Sequence, residues 1–199
     1  MKYSIITIAR EHGSGGRRIG KQLAEELGIA YYDKSLIQLA AKQSGLAEET
    51  FEEAEKQAAS SLLFHLAVGN YSAQGYTPRS LPMSDQIFLA QFEAVMKLAE
   101  EGPCVLIGRC ADYVLRERAD CLNVFLHAPL EERKRRVVRE YGVSPEKCAE
   151  EIRRADKGRA NYYSHYTGQK WGDCRNYHLT LDTSLGEETV IELIRRAAE

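Results

Sequence analysis

Apolar residues along this chain come in short unbroken runs that alternate with stretches of helical spacing. "YSIITIA" at residues 3–9 is β-branched, free of Gly and Pro, and reads as a strand buried on both faces. From Arg17 the apolar positions Ile19, Leu23, Ala24 and Leu27 fall on one helical face, and Gly28 stands where a left-handed C-cap would end the helix. "IAYYD" predicts a second strand, followed by a helix over about Lys34 to Ser44 and a long helical stretch, "LAEETFEEAEKQAASSLLFHLAVG". After a polar segment from about Asn70 to Asp85, Ser84 is placed to cap a helix that runs to Glu101 and stops at Gly102 and Pro103. "CVLIG" and "CLNVFLHA" read as central strands, and Pro129 opens a strongly basic helix that ends at Gly142. Ser144 and Pro145 start the next helix, "YHLTLDTS" supplies a fifth strand, and Ser184 with Glu187 forms an S-x-x-E capping box for a last helix. Strands alternating with helices predict an α/β fold, a parallel sheet covered on both faces.

Composition narrows what such a fold does. A chain of 199 residues, 44% hydrophobic, buries a core of one domain but hardly of two. A formal net charge of −2 and a pI near 6.3 argue against nucleic acid or a membrane surface as partner. No run approaches the roughly 20 apolar residues of a membrane span, and the N-terminal apolar run is too short for a signal peptide. Five scattered cysteines give neither a disulfide framework nor a metal spacing, which predicts a reducing, cytoplasmic setting. The histidines at 12, 65, 127, 165 and 178 have no ligand spacing, so no protein-held metal is expected.

The chemistry concentrates in "AREHGSGGRRIG". A strand that runs through a Gly-rich turn into a helix presents unpaired N–H groups at the positive end of the helix dipole, where anions collect. The phosphate-loop pattern G-x-x-x-x-G-K-[ST] is matched only in part. With Gly15 as its second glycine, Arg10 stands in the first glycine position, Gly16 in the lysine position and Arg17 in the hydroxyl position. Gly13, Ser14, Gly15 and Gly16 are the candidate cradle. Arg17 and Arg18 would oppose the helix dipole unless an anion neutralises them, so they are expected to replace the missing lysine. Magnesium would then ride mainly on phosphates and water, with Ser14 the one hydroxyl nearby. A dinucleotide fold competes, because Asp33 lies where a ribose-binding acid belongs, but G-x-G-x-x-G from Gly13 would need glycine at Arg18. No G-x-S-x-G elbow supports a hydrolase.

Further along, Arg109 ends an apolar strand, and ligands of open parallel sheets bind beyond the carboxyl ends of strands. Arg153, Asp156 and Arg159 lie beside the aromatic cluster Tyr162, Tyr163, Tyr166 and Trp171, which could stack on a base. Arg153 and Asp156 are spaced i,i+3 for an ion pair. The run from Arg133 to Arg139 reads as a solvated helix face, although one of its arginines could reach a phosphate.

Together, "AREHGSGGRRIGKQLAEELGIAYYD", "VLIGRCADYVL", "DKGRANYYSHYTGQKWGD" and "NYHLTLDTS", in that order, resemble the cytidylate kinase-like family of P-loop nucleoside monophosphate kinases. The resemblance implies a three-layer fold with a five-stranded parallel sheet, ATP with Mg²⁺ as phosphoryl donor, a helical acceptor-binding insert and an arginine-bearing lid. On this chain the core would be residues 1–44, 86–150 and 176–199, the insert about 45–85 and the lid about 151–175. Gly108 and Arg109 match the family's Gly-Arg-Asp, with Cys110 in place of the aspartate and Asp112 two residues on. Asp33 matches the aspartate after the second strand, and Lys34 replaces the serine that follows it. The implied roles are donor binding by Gly13 to Arg18, acceptor binding by Asp33, Arg109 and Asp112, and transition-state work by Arg153, Arg159 and Asp156. A non-catalytic binder of a phosphorylated ligand and a kinase for a non-nucleotide acceptor are the other readings of the same residues.

Overall fold

The structure, a computed structural model, describes residues 2–51 and 81–199. Five strands, β1 (Ile5–Arg10), β2 (Ala30–Tyr32), β3 (Cys104–Ile107), β4 (Cys121–His127) and β5 (Leu179–Asp182), form one sheet in the order β2-β3-β1-β4-β5, with every pairing parallel. β1 is central because it is apolar on both faces, and all its residues from Ile5 to Ala9 are buried. Its even-numbered residues Ile6 and Ile8 join Val105, Ile107, Val124 and Leu126 beneath α1 (Gly16–Leu27) and α7 (Glu187–Ala198). Ile5, Cys104, Leu106 and Cys121 on the other face pack against α2 (Lys34–Ser44) and α3 (Met83–Glu101). Three layers result, with the C-terminal ends of β1, β3 and β2 side by side.

The remaining helices are α4 (Ala111–Val114), α5 (Leu130–Tyr141) and α6 (Pro145–Thr167). Gly28 and Gly142 cap α1 and α5 in the left-handed conformation, and Pro145 opens α6 behind Ser144, as their sequence positions predict. Two predicted caps are different. Extended Pro82, not Ser84, begins α3, because its carbonyl already accepts the Asp85 and Gln86 amides. The Ser184–Glu187 capping box does not form: Asp182 Oδ1 accepts the Ser184 N–H at 2.9 Å, winding Thr183–Leu185 into a 3₁₀ turn, and Gly186 becomes the N-cap of α7. Most of the expected 45–85 insert, residues 52–80, lies outside the described residues. Among the described residues no helix is long and apolar enough to cross a membrane.

Candidate active site

The loop from Glu11 to Gly15 joins β1 to α1. Gly13 and Gly15 take φ of +78° and +85°, which only glycine adopts without strain. Behind the loop, Thr183 Oγ1 and Arg136 Nη1 donate to the Ser14 carbonyl at 2.7 and 3.1 Å, and Arg136 also reaches the Gly13 carbonyl at 3.3 Å. Since carbonyl and N–H of one peptide point in opposite directions, holding the Ser14 carbonyl at the rear aims the Gly15 N–H forward. Three loop amides are used within the protein: Glu11 N–H on the Leu126 carbonyl, Ser14 N–H on the Glu11 carbonyl and His12 N–H on Asp156 Oδ1 at 2.7 Å. Among the described residues those of Gly13, Gly15, Gly16 and Arg17 meet no protein acceptor. The Ser14 side chain is fully buried, and its hydroxyl donates to the Glu11 carbonyl at 2.9 Å.

Arg17 and Arg18 do not close over this loop. The Arg17 guanidinium pairs with Asp33 at 2.8 Å, and Arg18 pairs with Glu187 through Nε at 2.7 Å and with Glu140 through Nη1 at 2.8 Å. The charge that opposes the dipole of α1 is therefore neutralised by three carboxylates of the protein, Asp33, Glu140 and Glu187. Arg10, in the first glycine position, instead lies inside the site: its side chain is 13% exposed, with Nη2 3.9 Å from Asp33 Oδ1.

Beyond β3 the residues Gly108, Arg109 and Cys110 are all left-handed, with φ of +70°, +58° and +54°. Such a run costs about 1–2 kcal/mol for each non-glycine residue. It turns the chain sharply into α4 and sets Arg109 beside Arg10. Asp112, 6% exposed, lies 2.7 Å from the Tyr163 hydroxyl, and burial, opposed by that hydroxyl and by nearby amides, raises its carboxyl to about 6.

α6 closes the opposite wall. Arg10, Arg109, Arg159, Cys110, Asp112 and Trp171 line one cleft over the ends of β1 and β3. Asp156 does not pair with Arg153. It takes Arg133 at 2.7 Å and Arg159 at 3.3 Å, while Arg133 also grips Glu11 at 2.8 Å. Burial raises the Asp156 carboxyl against the pull of the His12 N–H and these two arginines. His12 is lowered to about 4, by burial first and by Arg159 and Arg133 next, so its ring is neutral at pH 7. Arg153 is exposed and, among the described residues, makes no ion pair.

Two further expectations change. Arg133, 6% exposed, belongs to the loop's support and not to a solvated face. Tyr162, Tyr163 and Tyr166, each under 5% exposed, form a core cluster with Phe88, which stacks on Tyr166 at 4.1 Å, whereas Trp171 is half-buried. Arg10, Arg133, Arg136 and Thr183 were not singled out from the sequence. The i,i+3 spacing of Arg133 and Arg136 was the available signal, but nothing in it says which face meets the loop.

Residues 5–185 match the family model described as the cytidylate kinase-like family. The chain belongs to this family. Cytidylate kinases of Ignicoccus hospitalis and Methanopyrus kandleri are 27% and 28% identical to it, over 97% and 98% of this chain and 98% and 92% of their own. An uncharacterized protein from Eubacterium ventriosum has the same fold, with a TM-score of 0.70, 24% identity and coverage of 98% of this chain and 97% of its own. Shikimate kinase from Bacteroides thetaiotaomicron shares the fold at a TM-score of 0.54 and 14% identity, with 97% of each chain covered. The fold is thus that of the P-loop kinases, and the chain is a kinase-like phosphotransferase.

Proposed function

We propose that this enzyme transfers the γ-phosphoryl group of ATP to a nucleoside monophosphate, with cytidylate the first acceptor to test. The observation that carries the reading is the convergence of Arg10, Arg109 and Arg159 on one cleft beside the forward-facing amides of the glycine loop. Phosphoryl transfer asks a protein for positioning and charge neutralisation, and this site offers both. In that reading the amides of Gly13, Gly15 and Gly16 cradle the donor, Arg109 with Asp112 and Asp33 orients the acceptor, and Arg159 meets the charge that builds on the transferring group. An acceptor phosphate oxygen attacks the γ-phosphorus, the bond to the β–γ bridging oxygen breaks, and ADP leaves.

The donor set does not form a magnesium site of its own. The Ser14 hydroxyl is turned inward, Arg17 replaces the usual hydroxyl, and the carboxylates of Glu11, Asp33 and Asp156 are engaged by guanidinium groups. Among the described residues no three His, Cys, Asp or Glu side chains gather for a metal. In this reading magnesium would be held by the phosphates of the nucleotide and by water.

Labelled ATP incubated with each nucleoside monophosphate tests the proposal: a labelled diphosphate is expected, from cytidylate before the others. Calorimetric binding of ATP with no product from any of them would make the chain a non-catalytic binder, and product from a non-nucleotide acceptor alone would change the substrate class. Arg159→Ala is expected to lower kcat roughly 100-fold, the cost typical of removing one donor aimed at transition-state charge. Arg153→Ala, on the exposed side of α6, should cost less than Arg159→Ala in the same assay.

A further inference from the structure

Two departures from the phosphate-loop pattern, six residues apart in sequence, meet in space. A Cβ on Gly16 would lie 2.9 Å from Arg10 Cβ and 3.1 Å from Arg10 Cγ, so the stem of Arg10 fills the volume from which a side chain at 16 would start. Backbone conformation does not ask for glycine here, because Gly16 is the first residue of α1 and its φ is not left-handed. The head of Arg10 runs on across the end of β3, where a Cβ on Gly108 would fall 3.2 Å from Arg10 Cζ, and then toward Asp33. Glycine at 16 and arginine at 10 are thus one steric unit.

We propose that Arg10 and Gly16 are a reciprocal exchange, in which the cation that the pattern delivers from the first turn of the helix is delivered instead from the end of β1, to the β- and γ-phosphates of the donor. Arg10 begins on the strand beside the loop, and its guanidinium shares the cleft with Arg109 and Arg159. A planar guanidinium presents two parallel N–H donors in a fixed fork, where an ammonium is a compact point charge, so the exchange also changes how the phosphates are held. The carboxylate facing Arg10 is already engaged, since Asp33 keeps its short contact, 2.8 Å, for Arg17 and stands 3.9 Å from Arg10. The exchange rests on the kinase reading above.

The test uses the full chain, calorimetric binding of ATP and of AMP, which lacks the β and γ groups, and kcat with the acceptor found above. Arg10→Ala is expected to weaken ATP binding at least tenfold, AMP binding less than twofold, and to lower kcat more than 100-fold. Gly16→Lys alone should lose ATP binding to a similar degree, because the new stem meets Arg10. The double variant Arg10→Gly with Gly16→Lys should recover at least tenfold in ATP affinity over either single variant, a coupling that independent sites do not show. Thermal melts establish that each variant is folded, and if Arg10→Ala is not, the comparison of Gly16→Lys with the double variant decides. Unchanged ATP affinity in Arg10→Ala, equal losses for ATP and AMP, or a double variant no better than its worse parent overturns the exchange and leaves the kinase reading standing. A parent protein that neither binds ATP nor transfers phosphate overturns both.

Discussion

Gly13 and Gly28 share a left-handed backbone, with φ of +78° and +64°, but their surroundings differ. Nothing lies within 4 Å of a Cβ built on Gly28, whereas one on Gly13 would meet the Arg133 carbonyl at 2.8 Å and Val137 Cγ2 at 2.9 Å. Gly28→Ala is therefore expected to cost only the strain of the conformation, about 1–2 kcal/mol. Gly13→Ala carries the same strain and must also push α5 away from the loop, so it should cost more and remove ATP binding. Urea denaturation with parallel calorimetry of ATP binding checks the pair; equal losses in both variants would mean that α5 yields freely. Both residues appear in the sequence simply as glycine, and only the neighbour across the fold separates a cap from a close approach.

Among the elements, α5 does more for the site than its composition suggests. One face of it sends Arg133 to Glu11 and Asp156 and Arg136 to the carbonyls of the loop, fastening β1, α1 and α6 around one point. Arg133→Met takes the cation from partly buried Glu11 and leaves Asp156 with Arg159 alone, and breaking such a pair from one side costs roughly 3 kcal/mol. A lower urea midpoint with an unchanged m-value is the expected result, together with weaker ATP binding as the loop loses its support. A loss below about 0.5 kcal/mol, the range of ordinary surface changes, would show the network to be incidental. Basic residues from Arg133 to Arg139 looked solvated because charge runs on helices usually are. The exposed side chains of Arg135 and Arg139 fit that rule, while buried Arg133 breaks it because α6 and the loop lie over it.

Over the molecule as a whole, two groups at the site make stability depend on pH in opposite directions. His12 titrates near 4 when folded and near 6.5 when unfolded. The unfolded chain therefore takes up this proton first, and stability falls as pH drops from 6.5 toward 4. Asp112, raised from 3.8 to about 6, keeps its proton in the folded chain where the unfolded chain has lost it, so its contribution falls as pH rises through that window. His12→Gln should flatten the acid loss of thermal stability between pH 6.5 and 4, and Asp112→Asn should steepen it while raising the melting temperature at pH 7. Melting curves at half-unit steps from pH 4 to 7 read both slopes. Parallel profiles for parent and variants would mean that neither group differs between the folded and unfolded chains.

The sequence by itself determined the alternation of strands and helices, the buried identity of β1, the caps at Gly28 and Gly142, and the glycine turn that joins β1 to α1. These follow from periodicity, turn chemistry and chain direction, which act over a few neighbouring residues. Tertiary structure alone decided which charges face the cleft. Arg17 and Arg18 stand beside the glycines in sequence yet are neutralised by Asp33, Glu140 and Glu187, while Arg10 and Arg159, 149 positions apart, share one cavity. The reason is that a long, flexible side chain goes to the carboxylate or cavity within reach, and the sheet order brings partners together that no local spacing encodes.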